Sequence, residues 1–309
     1  MAHPTLEDVA ARAGVSRALV SLVMRGSPKV AEQRRKAVLE AARELGYRPN
    51  MMARGLAAGR TGIVGVLLSD LHDPRYAAIH DGLADEAARG DLRLLLTTGR
   101  TGPARERAAL DDLLDLRPEG VILAGPRMAA ADVERAAAGC PVTVVGRTLR
   151  SARVDCVTGD DAAAVELAAA HLADLGHRRI ACLDLGDRPS PLRRACAAAG
   201  LAAVTGPDEI PRTATAVLAL GDTTGTAALT ALLRAGRRVP EDVSLIVHGA
   251  PPGAGAAQVT TIAPPPAELG RLAMAALLSR LKDGPSTKPQ RLTVPPRLEV
   301  RATTAPAPS

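Results

Sequence analysis

Six histidines (His3, His72, His80, His171, His177, His248) and four cysteines (Cys140, Cys156, Cys182, Cys196) have most scope for nucleophilic or metal chemistry. Their spacing argues against both. No two cysteines stand in a CxxC pair, and no histidine joins a serine or cysteine in a nucleophile motif. There is no HExxH helix, no G-x-G-x-x-G after a first strand and no P-loop, so the usual ligands for metal hydrolysis and nucleotide binding are missing. Asp160-Asp161 reads as a helix N-terminus, where acids complement the dipole, rather than as a catalytic pair. The thiols read as buried and free. An enzyme is not expected, nor any cofactor or metal.

The cations, by contrast, are gathered. Residues 1–60 hold eleven Lys/Arg against five Asp/Glu, an excess of six that equals the +6 of the whole 309-residue chain. The rest is neutral overall. Positive charge concentrated on one end suits phosphate binding, because each neutralised phosphate releases counterions. A solvated basic tail would carry the same charge but not the apolar spacing found inside it.

That spacing predicts three short helices. Leu6, Val9, Ala10 and Ala13 recur at i, i+3, i+4, i+7 after Thr5, an N-cap with Asp8 three residues on. Gly14 interrupts, Ser16 caps again, and Leu19, Val20 and Val23 form the next apolar face. A third helix carries Val38, Ala41, Ala42 and Leu45 and stops at Gly46. Two helices around a Gly-containing turn make a helix-turn-helix candidate. Asn50, the only asparagine in the chain, then precedes a helix-prone stretch of about two turns that would be marginal alone in water.

From Gly62 the pattern becomes apolar strands alternating with Ala-rich amphipathic segments. Strands are predicted at 63–68, 92–97, 120–123, 141–145, 180–183, 216–220 and 243–247, and helices at 76–89, 105–114, 161–175 and 223–235. Strict alternation means parallel sheets covered by helices, and so many units need two doubly wound lobes. With no Phe or Trp and only Tyr47 and Tyr76, the core must be built from Leu, Val and Ala. No apolar run reaches membrane length and no secretory leader opens the chain, so a cytoplasmic protein is expected. The Pro/Ala-rich end, 304–309, reads as a disordered tail.

These segments resemble the lactose/galactose-repressor (LacI/GalR) family of bacterial transcription regulators over essentially the whole chain. The likeness is carried by Thr5-Leu6-Glu7-Asp8-Val9-Ala10, Ala13-Gly14-Val15-Ser16, Glu44-Leu45-Gly46-Tyr47-Arg48-Pro49-Asn50 and Ala53-Arg54-Gly55-Leu56-Ala57. Further on, Leu175-Gly176-His177-Arg178-Arg179, Val239-Pro240-Glu241-Asp242-Val243 and Thr260-Thr261-Ile262 follow in order. The resemblance implies an all-α helix-turn-helix headpiece (1–48), a hinge helix (49–60) and an α/β body (61–303) of the periplasmic-binding-protein-like type I fold. That body would have two doubly wound parallel-sheet lobes, one at 61–158 plus 264–284 and the other at 159–263 plus 285–303. It also implies a homodimer or tetramer on a double-stranded DNA operator, acting as a repressor and modulated by a small-molecule effector in the inter-lobe cleft.

Carried onto this chain, Arg17 and Ala18 take the base-reading positions and Ser16 and Ser21 reach phosphates. Tyr47 and Asn50 contact the backbone, and Leu56 wedges into the minor groove. Thr5, Arg25, Arg34, Ala53 and Arg54 complete the DNA-facing set. The matching cleft positions are Asp73, Tyr76, Arg147, Arg193 and Asp222. Departures accompany the match. Leu22 replaces a base-reading arginine, and Ala31 replaces the Ser/Thr cap of the third helix. The family's Gly-aromatic-Asp-Asp turn reads Val247-His248-Gly249-Ala250, removing a ligand-holding carboxylate. The stretch between His177 and Gly221 is short by an apparent strand–helix unit. Two readings of the cleft therefore stay open: a sugar site, or a decayed or non-sugar site taking an anion or a protein. An extracytoplasmic solute-binding protein would share the body but not the headpiece.

Overall fold

Thr5 shows how local chemistry sets the first helix. Its hydroxyl accepts from the Asp8 amide at 3.3 Å, and the Asp8 carboxylate accepts from the Thr5 amide at 2.8 Å. This reciprocal cap opens α1 (Leu6–Ala13), and Gly14 at φ +65° closes it. The Ser16 hydroxyl accepts from the Leu19 amide at 3.3 Å at the head of α2 (Arg17–Met24). Ala31 leaves α3 (Glu32–Glu44) without a side-chain cap. Val9, Val20, Val23, Val30 and Val38 meet in one small core, with Tyr47 packed at its margin.

In this computed structural model the chain divides into two units, residues 1–61 and 62–309. The structure describes residues 4–24, 26–47, 61–99, 102–184, 191–249, 255, 257–284 and 287–308.

The second unit alternates strand and helix. β1 (Ile63–Leu68), α4 (Pro74–Arg89), β2 (Arg93–Thr98), α5 (Pro103–Asp115), β3 (Gly120–Ala124), α6 (Ala130–Ala137), β4 (Val142–Val145) and β5 (Val154–Gly159) build the first lobe. There follow α7 (Asp161–Asp174), β6 (Ile180–Leu183), α8 (Pro191–Ala198), β7 (Ala202–Val204), a 3-10 turn (Pro207–Glu209), β8 (Ala216–Leu220), α9 (Asp222–Arg234) and β9 (Ser244–His248). The last elements are β10 (Thr260–Ala263), α10 (Pro266–Asp283), β11 (Arg291–Val294) and β12 (Arg297–Glu299). Two six-stranded sheets result, in the orders β11-β5-β4-β3-β1-β2 and β12-β10-β9-β8-β6-β7. Every pairing is parallel except β10 with β12. Leu, Val and Ala fill the layers on both faces of each sheet, as the lack of aromatic residues requires.

α10 returns to the first lobe and lies along α4 at very close approach. A Cβ on Gly82 would meet the Ala267 carbonyl, and one on Gly270 the Ile79 carbonyl. A buried ion pair fixes the same helix to the sheet. Arg280 donates to Asp155 of β5 at 2.6 and 2.7 Å, both side chains almost wholly out of solvent.

Three expectations are corrected. Residues 285–303 do not all join the second lobe: β11 pairs in parallel with β5 of the first sheet, and only after Pro295-Pro296 does β12 reach the second. Val294 is buried in the first lobe's core, and Arg291 donates to the Ser151 carbonyl at 2.7 Å, which explains the placement. Residues 304–308 are not a loose tail. The Ala307 amide donates to the Leu175 carbonyl at 2.8 Å and the Ala305 amide to the Ser244 hydroxyl at 3.0 Å. These bonds satisfy polar groups otherwise buried without partners. The gap between His177 and Gly221 removes a helix rather than a strand–helix unit. β7 is present, but the crossover from β7 to β8 holds only the 3-10 turn, where the first lobe's β2-to-β3 crossover carries α5.

Candidate functional site

The apolar spacing of α2 decides which of its side chains face outward. Val20 and Val23 are buried, so Ser16, Arg17 and Ala18 are exposed at its N-terminal end and Ser21 is half-buried one turn on. Arg17 pairs with Glu7 at 3.0 Å, with both side chains more than half exposed. Such a surface pair contributes about 0–1 kcal/mol and exchanges readily for another anion. Thr5 is exposed but engaged with Asp8, whose pKa it lowers through backbone and side-chain hydrogen bonds. Arg34 is exposed on α3, and Tyr47 is half-buried beside the headpiece core. Arg25, Asn50, Ala53, Arg54 and Leu56 lie outside the described residues.

In the second unit, Asp73 caps α4. Its carboxylate accepts from the Arg75 amide at 2.9 Å and from the Arg75 guanidinium at 2.7 Å. The guanidinium also stands 5.3 Å over the ring of Tyr76. Tyr76 is buried, and its hydroxyl fills the space that a Cβ on Gly125 (φ +67°) would need. Burial opposes the charge on Arg75, yet Asp73, Tyr76 and Asp222 outweigh it and raise its pKa. Asp222 begins α9, and His248 ends β9, both in the second lobe. Burial first, and then the charge of Arg75, push the His248 imidazole down to about 4. Its Nε2 is buried with no hydrogen-bond partner among the described residues. Arg75 therefore bridges the lobes electrostatically, and neither composition nor motif singled it out.

The remaining cleft residues behave differently. Arg147 donates to the carbonyls of Met128 at 2.6 Å and Pro126 at 3.3 Å. That loop is itself held by fully buried Glu106, which accepts from the amides of Arg127 at 2.7 Å and Met128 at 2.8 Å. Arg147 thus braces its own lobe. Arg193 lies on α8, close enough for its charge to act on the Cys182 thiol. The structure gathers Asp73, Tyr76 and Asp222 around Arg75 and leaves Arg147 engaged with backbone. A separate cavity of about 520 Å³ opens between the 3-10 turn and α9, lined by Asp208, Thr226, Thr230 and Arg234, where the missing crossover helix leaves space. Among the described residues no cluster of His, Cys, Asp and Glu could hold a metal, and no helix is long and apolar enough to cross a membrane.

Comparison with known proteins agrees with this arrangement. Residues 5–50 match the bacterial regulatory proteins of the lacI family, and residues 169–304 match the periplasmic binding protein-like domain. The HTH-type transcriptional regulator CelR of Thermobifida fusca is 34% identical over 97% of this chain and 98% of its own. That alignment spans 346 positions, more than the 309 residues available, so the relative carries insertions. The HTH-type transcriptional regulator MalR of Streptomyces coelicolor is 30% identical over 98% of this chain and 97% of its own. Among solved structures, the lac repressor dimer bound to operator and the anti-inducer ONPF superposes with a TM-score of 0.82 at 25% identity, covering 98% of this chain and 100% of that one. A CelR–cellobiose complex gives a TM-score of 0.65 at 30% identity, covering 97% and 99%. Headpiece, two-lobe body and relatives all point one way: the chain belongs to the lacI family of bacterial regulatory proteins, DNA-binding transcription regulators rather than enzymes.

Proposed function

We propose that this regulator is a cytoplasmic repressor that grips a palindromic operator as a homodimer and responds to a small molecule held between its lobes. The observation that carries the reading is the exposed end of α2, where Ser16, Arg17 and Ala18 stand in solvent over a face locked by Val20 and Val23. Arg17 can exchange Glu7 for the O6/N7 edge of a guanine, a contact worth about 1–3 kcal/mol of discrimination. Leu56 would wedge the minor groove at the dyad, and the hinge segment would fold there against its twin. Self-association is supported by the edge strand β2, where Leu95 and Leu96 are 37% and 40% exposed. An apolar open edge needs a cover, and a second copy supplies one. Effector binding would close the lobes and change the spacing of the two hinges. Selection of bound sites from randomised DNA tests the proposal. A palindromic consensus is expected; enrichment of a single asymmetric half-site, or none, overturns it.

A non-sugar effector is the second reading, favoured by the fixed charge of Arg75 and the unbonded Nε2 of His248 at the cleft. Those groups suit an acidic or phosphorylated metabolite. A larger thermal shift with such metabolites than with neutral sugars is expected, and the opposite ranking ends it.

A further inference from the structure

Cys182 on β6 and Cys196 on α8 are hydrogen-bonded to each other through their thiols. Both are fully buried and belong to the same core cluster of the second lobe, which also holds Ala164, Val165 and Leu218. The other two cysteines have different company. The Cys140 thiol faces the carbonyls of Pro118 at 3.8 Å and Pro141 at 3.6 Å, and the Cys156 sulfur accepts from the Leu149 amide at 3.5 Å. Only the 182–196 pair, among the described contacts, brings two thiols together.

We propose that Cys182 and Cys196 are a modification site for peroxides, forming a reversible disulfide that ties α8 to β6. The geometry sets the order of steps. Cys182 donates its proton toward Cys196, which favours the thiolate on Cys196 and makes it the nucleophile. The Cys196 thiolate attacks one peroxide oxygen, the O–O bond breaks, and protonation of the departing oxygen gives water and a Cys196 sulfenic acid. The Cys182 sulfur then attacks that sulfur, loses its proton and expels the hydroxyl as a second water. Two thiols are oxidised by two electrons while one hydrogen peroxide is reduced to two waters.

Access comes through the helix. α8 spans eight residues and rests on the cluster through partly buried Leu192 and Ala195, so few contacts resist local opening. A disulfide has an S–S length of about 2.05 Å, shorter than any hydrogen-bonded thiol pair. Closing it draws α8, and Arg193 with it, toward β6. The inference does not depend on which effector or operator the regulator uses.

The test uses the full-length reduced protein, treated with hydrogen peroxide, denatured in an alkylating reagent and mapped by mass spectrometry. Expected are a Cys182–Cys196 linked peptide, a fall from four alkylated thiols to two, and recovery of all four with dithiothreitol. Circular dichroism should show the oxidised protein still folded. Cys196→Ser should abolish the linked peptide while Cys156 stays alkylatable. Four free thiols after peroxide, a linkage through Cys140 or Cys156, or a linked peptide found only in unfolded protein would each overturn the proposal. The wild-type peptide map decides the matter even if the variant fails to fold.

Discussion

His248, ending β9, lies in the electrostatic field of Arg75, at the start of α4. Burial and that charge together hold its imidazole down to about 4, well below the ordinary 6.5. Between these values the unfolded chain binds the proton better than the folded one. The stability His248 contributes is thus fully present above pH 6.5 and is lost as pH falls from there through about 4. The loss is at most about 3 kcal/mol. His177, also lowered by burial, acts in the same direction. Chemical denaturation across that window should show a falling midpoint, and His248→Gln should flatten the slope. An unchanged slope would remove His248 from the account.

Arg280→Met leaves the Asp155 carboxylate buried without its bidentate partner, although the Gln290 amide still donates to it at 2.7 Å. Breaking such a pair costs about 3–5 kcal/mol. Pairing Arg280→Met with Asp155→Leu should recover much of that loss. A double variant as unstable as the single one would show that packing rather than charge governs the site.

Gly82→Ala and Gly270→Ala each insert a methyl where the neighbouring helix backbone already lies. Neither side of the α4–α10 contact is a flexible side chain, so the helices must separate. We expect each variant to lose about 1–3 kcal/mol in thermal denaturation. Melting as the parent does would mean the helices part without cost.

Removing residues 304–309 strips the acceptor from His177. Nε2 lies 3.0 Å from the Ala305 carbonyl, which can only accept, so Nε2 carries the proton and Nδ1 accepts from the Thr215 hydroxyl at 3.0 Å. The truncation should destabilise the body by about 1–3 kcal/mol, the cost of an unsatisfied buried group. A truncated chain of unchanged stability would restore the loose-tail expectation.

Two substitutions separate readout from grip on DNA. Arg17→Ala should cost about 1–3 kcal/mol on the selected site and relax one base position. Leu56→Gly should weaken specific binding while leaving binding to random duplex nearly unchanged. Titration against both duplexes at several salt concentrations measures this. Equal losses on both duplexes would contradict the wedge role.

Headpiece and body were legible for different reasons. Thr5, Gly14, Ser16 and Gly46 act on their own neighbours, so caps and stops could be read directly. The long apolar strands β1, β6 and β8 were equally plain, whereas β5, β7, β10, β11 and β12 were missed. Those are short or rich in Thr, Asp and Arg, and only their pairing partners make them strands.

The sequence by itself determined the basic headpiece, the alternating body and the family, because capping, periodicity and charge are properties of neighbours along the chain. Tertiary structure alone decided that β11 sits beside β5 and that the tail covers His177. It likewise decided that Arg75 reaches toward Asp222 and His248. Each of these joins residues far apart in sequence, and no local rule states which distant groups must satisfy one another once water is excluded.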